Sequence, residues 1–177
     1  MAEEQKEKWQ GWLALSMAIV AVMAALTTLY MGKYSSRAIM AQGQESDQWA
    51  FYQAKSIKQH SFEMSMKALE LQYHSQKGLA PQVAEEYEKT LTKYDEEIKR
   101  YDGDKKEIKD KAEGIAKTKL KAQEMSGNFA YALIFLQIAI MLSSLASLTK
   151  RHYLWYIALG CNLGWLYFFL DAWLLFY

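Results

Sequence analysis

Asp171 is the only charged residue after His152, and it sits in a run of aromatic and aliphatic side chains. A carboxylate at the centre of a hydrocarbon layer is costly enough to mark a functional site, whereas one at the edge is an interfacial group. Counting along a helix from Tyr153 puts Asp171 near the far edge. The sharper alternative is a ring of Asp171 side chains at the mouth of an oligomeric cation pore. Gln137 lies in the preceding apolar run and Asn162 in the same run as Asp171, at similar distances from residues 149–152. A hydrogen bond between them would satisfy both and contribute about 0.6–2 kcal/mol. A polar pore lining is the functional alternative. Two neutral amides with no buried lysine or arginine make a poor proton relay.

The remaining chemistry-bearing residues point to no reaction. His60, His74 and His152 are scattered, and His60 and His74 lie too far apart on one predicted helix to share a metal. Asp102-Gly103-Asp104 has the start of a calcium loop but lacks the later ligands and the terminal Glu. It reads as a solvated kink in a helix. Cys161 is the only cysteine, so no intramolecular disulfide and no thiolate zinc site can form. It reads as a small buried hydrophobe. Phosphate-binding loops, nucleophile elbows, H-E-x-x-H and dinucleotide fingerprints are absent. No enzyme activity, metal or cofactor is expected.

The elements carrying these residues follow from charge segregation. No charge occurs between Lys8 and Lys33, nor between Glu124 and Lys150. Residues 33–124 hold 17 basic and 16 acidic side chains. That near-balance argues against nucleic acid, which favours a basic stripe. The apolar runs 11–31, 128–148 and 153–176 each reach the roughly 20 residues that cross a core of about 30 Å. Aromatic residues such as Trp9, Tyr30, Tyr34, Tyr153 and Trp173 sit near their ends, as in an interfacial belt. The run 9–31 is too long for a signal-peptide core, and Glu3, Glu4 and Glu7 precede it, so it reads as a retained anchor. The tight basic turn 149–152 predicts that it and the N-terminus face the cytoplasm, with the long middle segment outside.

That middle segment predicts a helical hairpin. Its tip is 77–81, which contains Pro81, the only proline. Ala50, Ala54, Ile57, Ser61, Met64, Ala68 and Leu71 repeat at 4-3 spacing. So do Tyr87, Leu91, Tyr94, Ile98, Tyr101, Lys105, Ile108, Ala112 and Ile115. This is the spacing of a coiled-coil seam, locally weakened by Lys105. Arms 36–76 and 82–125 are of matched length, on the order of 60–65 Å at 1.5 Å per residue. On the first arm Phe51, Phe62, Leu69 and Tyr73 form a further apolar face, which either meets a partner or widens the seam.

The segment Ser46-Asp47-Gln48-Trp49-Ala50-Phe51-Tyr52-Gln53-Ala54-Lys55-Ser56-Ile57-Lys58 resembles the signature of a bacterial membrane-protein family catalogued as a domain of unknown function. The anchor 9–26 and the basic turn before a last aromatic-rich span are also similar to that family. The resemblance implies a bacterial cell-membrane protein and brings no activity or cofactor. Trp49, Tyr52, Gln53, Ser56 and His60 make a rim that is either a docking patch or a packed hinge.

The fold expected is all-α: three transmembrane helices with a long antiparallel coiled-coil hairpin between the first and second. The divisions are 1–32, 33–126 and 127–177. The expected interaction patch is Trp49, Phe51, Tyr52, Phe62 and Leu69. Packing in the membrane is assigned to the small stripe Ala14, Ala18, Ala21 and Ala25, to Gly160 and Gly164 of a GxxxG motif, and to Gln137 and Asn162. The function expected is a non-enzymatic inner-membrane scaffold whose partners are lipids and either further copies or a larger complex. The alternative is a small oligomeric channel or transporter subunit using Gln137, Asn162 and Asp171.

Overall fold

The computed structural model describes the backbone of residues 2–76 and 80–174 and the side chains of 9–76 and 80–174. Residues 77–79 of the expected tip, and the end of the third expected span with Tyr177, lie outside the described residues. The chain is all-helical, with three helices and no strand among the described residues: α1 (Ala2–Ser75), α2 (Pro81–Thr149) and α3 (His152–Leu174). Each contains a stretch long and apolar enough to cross a membrane.

Sequence reading divides α1 and α2 into spans and arms, yet each is one unbroken helix. The physical reason is the lack of any breaker inside them. An interior glycine such as Gly32 or Gly103 costs only about 1 kcal/mol relative to alanine. The kink expected at Asp102-Gly103-Asp104 is therefore replaced by regular helix. Pro81 starts α2, where its missing N–H is no loss. The carbonyl of Ala80 accepts bonds from the N–H groups of Val83 (3.0 Å) and Ala84 (3.1 Å). At the other end Lys150 adopts φ 54°, the left-handed conformation that stops a helix, and α3 begins two residues later.

The chain forms two compact units, 1–40 with 118–177, and 41–117. In the first, α1, α2 and α3 surround an interior of Val20, Leu136, Ala139 and Ala158. A second cluster joins Tyr34, Met125, Phe129 and Ala172. Phe129 is 1% exposed, with the rings of Tyr30, Tyr34 and Phe169 at 5.4–5.8 Å. Aromatic pairs at this range attract beyond their shared area.

In the second unit, α1 and α2 meet along two heptad stripes. The α2 stripe is the one the spacing predicts: Tyr101, Ile108 and Ala112 are buried, and Tyr87, Leu91, Tyr94, Ile98, Lys105 and Ile115 are half-buried. The α1 stripe is not the predicted one. Gln48, Tyr52, Lys55, Gln59, Phe62, Met66, Leu69 and Tyr73 are buried or half-buried, whereas Ala50, Ala54, Ile57, Ser61, Met64, Ala68 and Leu71 are all exposed. The two sets are offset by two residues, so at about 100° per residue they occupy opposite faces. Complementarity with α2 decides which face is chosen. Phe62 fits between Tyr94 (5.7 Å) and Tyr101 (5.8 Å), Tyr73 meets Tyr87 (5.4 Å), and Lys55 reaches Asp104 (2.7 Å).

Candidate functional site

The structure separates the predicted interaction patch. Phe62 and Leu69 turn toward α2, and Leu69 lies beside Val83 and Tyr87. Tyr52 is half-buried, with the Lys105 ammonium 5.7 Å from its ring centre and the Trp49 ring edge-on at 5.7 Å. Trp49 and Phe51 remain exposed, at 37% and 51%. What stays uncovered is a full heptad stripe on the outside of α1. Ile57 is 71%, Met64 62% and Leu71 73% exposed, with alanines and Ser61 between them. The stripe is continuous along three heptads, and all of its residues are exposed.

The half-buried Lys55–Asp104 pair is the polar anchor of this unit. The Lys55 ammonium also lies 5.5 Å from the Phe51 ring centre and 5.2 Å from that of Tyr101. The hydrogen bond from Lys55, with the nearby positive charges of Lys55 and Arg100, holds the Asp104 carboxyl below its ordinary range, against the opposing effect of desolvation. A carboxyl depressed on folding stabilises above its unfolded pKa, and that contribution is lost as pH falls through the depressed value. Amide hydrogen-exchange protection around Lys55 and Asp104 is therefore expected to fall below about pH 4. In Asp104→Asn it should be lower at neutral pH and flat over the same window. Identical acid profiles would remove the pair from the account.

In the first unit the expected small-residue stripe faces outward: Ala14, Ala18, Ala21 and Ala25 are all exposed. The inward face is instead Leu13, Val20, Thr27 and Tyr34. Of the GxxxG pair, Gly160 has open space around it, while a methyl group on Gly164 would come within 2.7 Å of the Phe135 ring. Gln137 and Asn162 do not pair. Asn162 Nδ2 donates to the carbonyl of Ala158 (3.1 Å), and its Oδ1 is buried without a partner among the described residues. Gln137 lies on the exposed face of α2. Helix rotation separates them, because α2 presents Leu136 and Ala139 inward and so turns residue 137 out. Asp171 is exposed and accepts a hydrogen bond from Asn128 Nδ2 (2.7 Å). Cys161 is half-buried against the interior cluster.

Sequence reading missed two indole–hydroxyl bonds. Trp155 Nε1 donates to Ser16 Oγ (3.1 Å), and Trp165 Nε1 donates to Thr27 Oγ1 (3.0 Å). A signal existed: the two hydroxyls are eleven residues apart on α1 and the two indoles ten apart on α3, so parallel helices bring both pairs level. Thr27 is fully buried and donates onward to the carbonyl of Met23 (2.8 Å). Thr27→Val keeps the shape and strands the Trp165 N–H, an expected loss of about 1 kcal/mol in detergent unfolding. Thr28→Val, on the exposed side, is the control and should be near neutral.

Among the described residues no three His, Cys, Asp or Glu side chains come together to hold a metal ion. A family model described as a domain of unknown function (DUF4337) matches residues 9–175. No curated protein and no solved structure matches the chain.

Proposed function

The chain belongs to the DUF4337 family, and from that premise and the geometry above we propose that it is a non-enzymatic scaffold of the bacterial inner membrane. It crosses the bilayer three times, carries an antiparallel helical hairpin, and assembles with further copies or a larger complex through both. One observation carries the reading. The outer face of α1 is a complete heptad stripe of exposed apolar and small residues, although α1 has already covered its opposite face with α2. Scattered exposed apolar residues need no partner; a contiguous stripe rimmed by polar groups marks an interface. In this reading the N-terminus and Lys150 are cytoplasmic and the hairpin is periplasmic. Ala80→Cys in intact cells should then react with an impermeant maleimide, and its protection would reverse the topology.

The second reading, an oligomeric channel, draws on the amide of Gln137. It lies on an exposed face of a span, where lipid offers no hydrogen-bond partner. A ring of copies would bring Gln137 to a common axis, with Asp171 at one mouth. Vesicles containing donor-labelled and acceptor-labelled copies, assayed for energy transfer and for ion flux, separate the two. The scaffold predicts energy transfer without flux. The channel predicts both, and the absence of both contradicts the channel and a scaffold built from copies of this chain.

A further inference from the structure

The occupant of the outer α1 face follows from its chemistry. We propose that it is the same face of a second copy, lying parallel and in register, an inference that rests on the scaffold reading. In heptad terms Ala50, Ile57, Met64 and Leu71 take the d positions, and Ala54, Ser61 and Ala68 take the a positions. From Ala54 to Leu71 smaller and larger layers therefore alternate. The small a layers let two helices approach at about 8 Å, the near limit for packed helices. The α2 helix of a second copy does not suit this face, because its own outer side carries Lys89, Glu96, Lys106, Glu107 and Glu113, all exposed.

The flanks fix direction. In a parallel pair each g residue comes beside the e residue five positions on in the other copy. Gln53 then faces Lys58, His60 faces Ser65, and Lys67 faces Gln72, all from exposed positions. Each lysine meets a neutral amide that can accept its hydrogen bond, and no like charges are opposed. An antiparallel pair centred on the same stripe sets His60 against its own copy. The exposed parts of Phe51, Ile57, Met64 and Leu71, with the alanines between them, amount to roughly 600 Å² per copy. Full covering of this face on both copies would bury about 1,200 Å², where specific stable interfaces begin.

The test uses the full chain in lipid vesicles, with Cys161→Ala as background and single cysteines at Ala54→Cys, Ser61→Cys or, as a control on the charged side of α2, Lys106→Cys. Mild oxidation should give disulfide-linked dimers at Ala54 and Ser61 at least about tenfold faster than at Lys106, because like a positions face each other within disulfide reach. Adding Ile57→Glu to Ala54→Cys should slow that cross-link by about tenfold with helical content unchanged, since Ile57 is 71% exposed and does not hold α1 to α2. Energy transfer between labelled copies together with equal cross-linking at all three positions overturns this inference and leaves the scaffold reading standing. Neither transfer nor seam cross-linking overturns this inference and, with it, a scaffold built from copies of this chain. A seam cross-link to a chain of different mass overturns self-pairing.

Discussion

Phe129→Ala is expected to lower the stability of the 1–40 and 118–177 unit by about 3 kcal/mol, measured by detergent titration of the full chain in mixed micelles. Phe129 is 1% exposed and fills the space between Tyr30, Tyr34 and Phe169, with Met125 and Ala172 in the same cluster. Truncation leaves a void and removes three ring contacts. This loss falls at the low end of the usual range for aromatic truncation because of the proposed setting. In a bilayer or micelle the displaced side chain is received by lipid tails, so the water-transfer part is small and the packing part remains. The matched control is Ile134→Ala on the exposed side of α2, 49% exposed, which should cost less than about 1 kcal/mol. Equal losses at 129 and 134 would mean that the aromatic cluster is not the centre of this unit.

Gly164→Ala is expected to cost about 1–3 kcal/mol, while Gly160→Ala is neutral or slightly stabilising. The two glycines are four residues apart and chemically identical, yet their surroundings differ. A methyl group at 164 comes within 2.7 Å of Phe135 Cδ1 and 3.0 Å of its Cγ, so the whole ring has to move. That ring is stacked on Phe168 at 5.7 Å, which limits where it can go. At 160 nothing lies within 4 Å, and alanine is the better helix former. The same unfolding assay reads both, and a loss at Gly160 equal to that at Gly164 would contradict the packing described.

Much of the fold was legible in the sequence because its determinants are coarse. Charge segregation marks the apolar runs, the single proline marks the break before α2, and the α2 heptad from Tyr87 to Ile115 is the stripe that faces α1. The α1 stripe was misread because aliphatic spacing was the only guide. Ala54, Ile57, Met64 and Leu71 make the more apolar series, but α2 offers aromatic rings and the Asp104 carboxylate, which are matched by Phe62, Tyr73 and Lys55. Periodicity reports that a face is apolar; the shape and charge of the neighbour report which face is used. The same limit explains Gln137. Its depth along α2 is countable, but its direction depends on how Leu136 and Ala139 turn that helix toward Val20 and Ala158. The GxxxG motif likewise names two candidates, and only the position of Phe135 distinguishes them.

The correction of the α1 faces also sharpens the functional proposal. Had the aliphatic stripe been covered by α2, the outer side of α1 would carry Tyr52, Lys55, Gln59, Phe62, Leu69 and Tyr73, a mixed polar and aromatic face. Because the polar and aromatic face is the covered one, the unpartnered face is the one with coiled-coil chemistry.

The most direct measurement of that claim is the native mass of the full chain released from lipid nanodiscs. A multiple of 20.5 kDa is expected, falling to a smaller assembly in Ile57→Glu with helical content unchanged. A wild-type protein that remains at 20.5 kDa across the concentration range, with no bound protein of another kind, would contradict it.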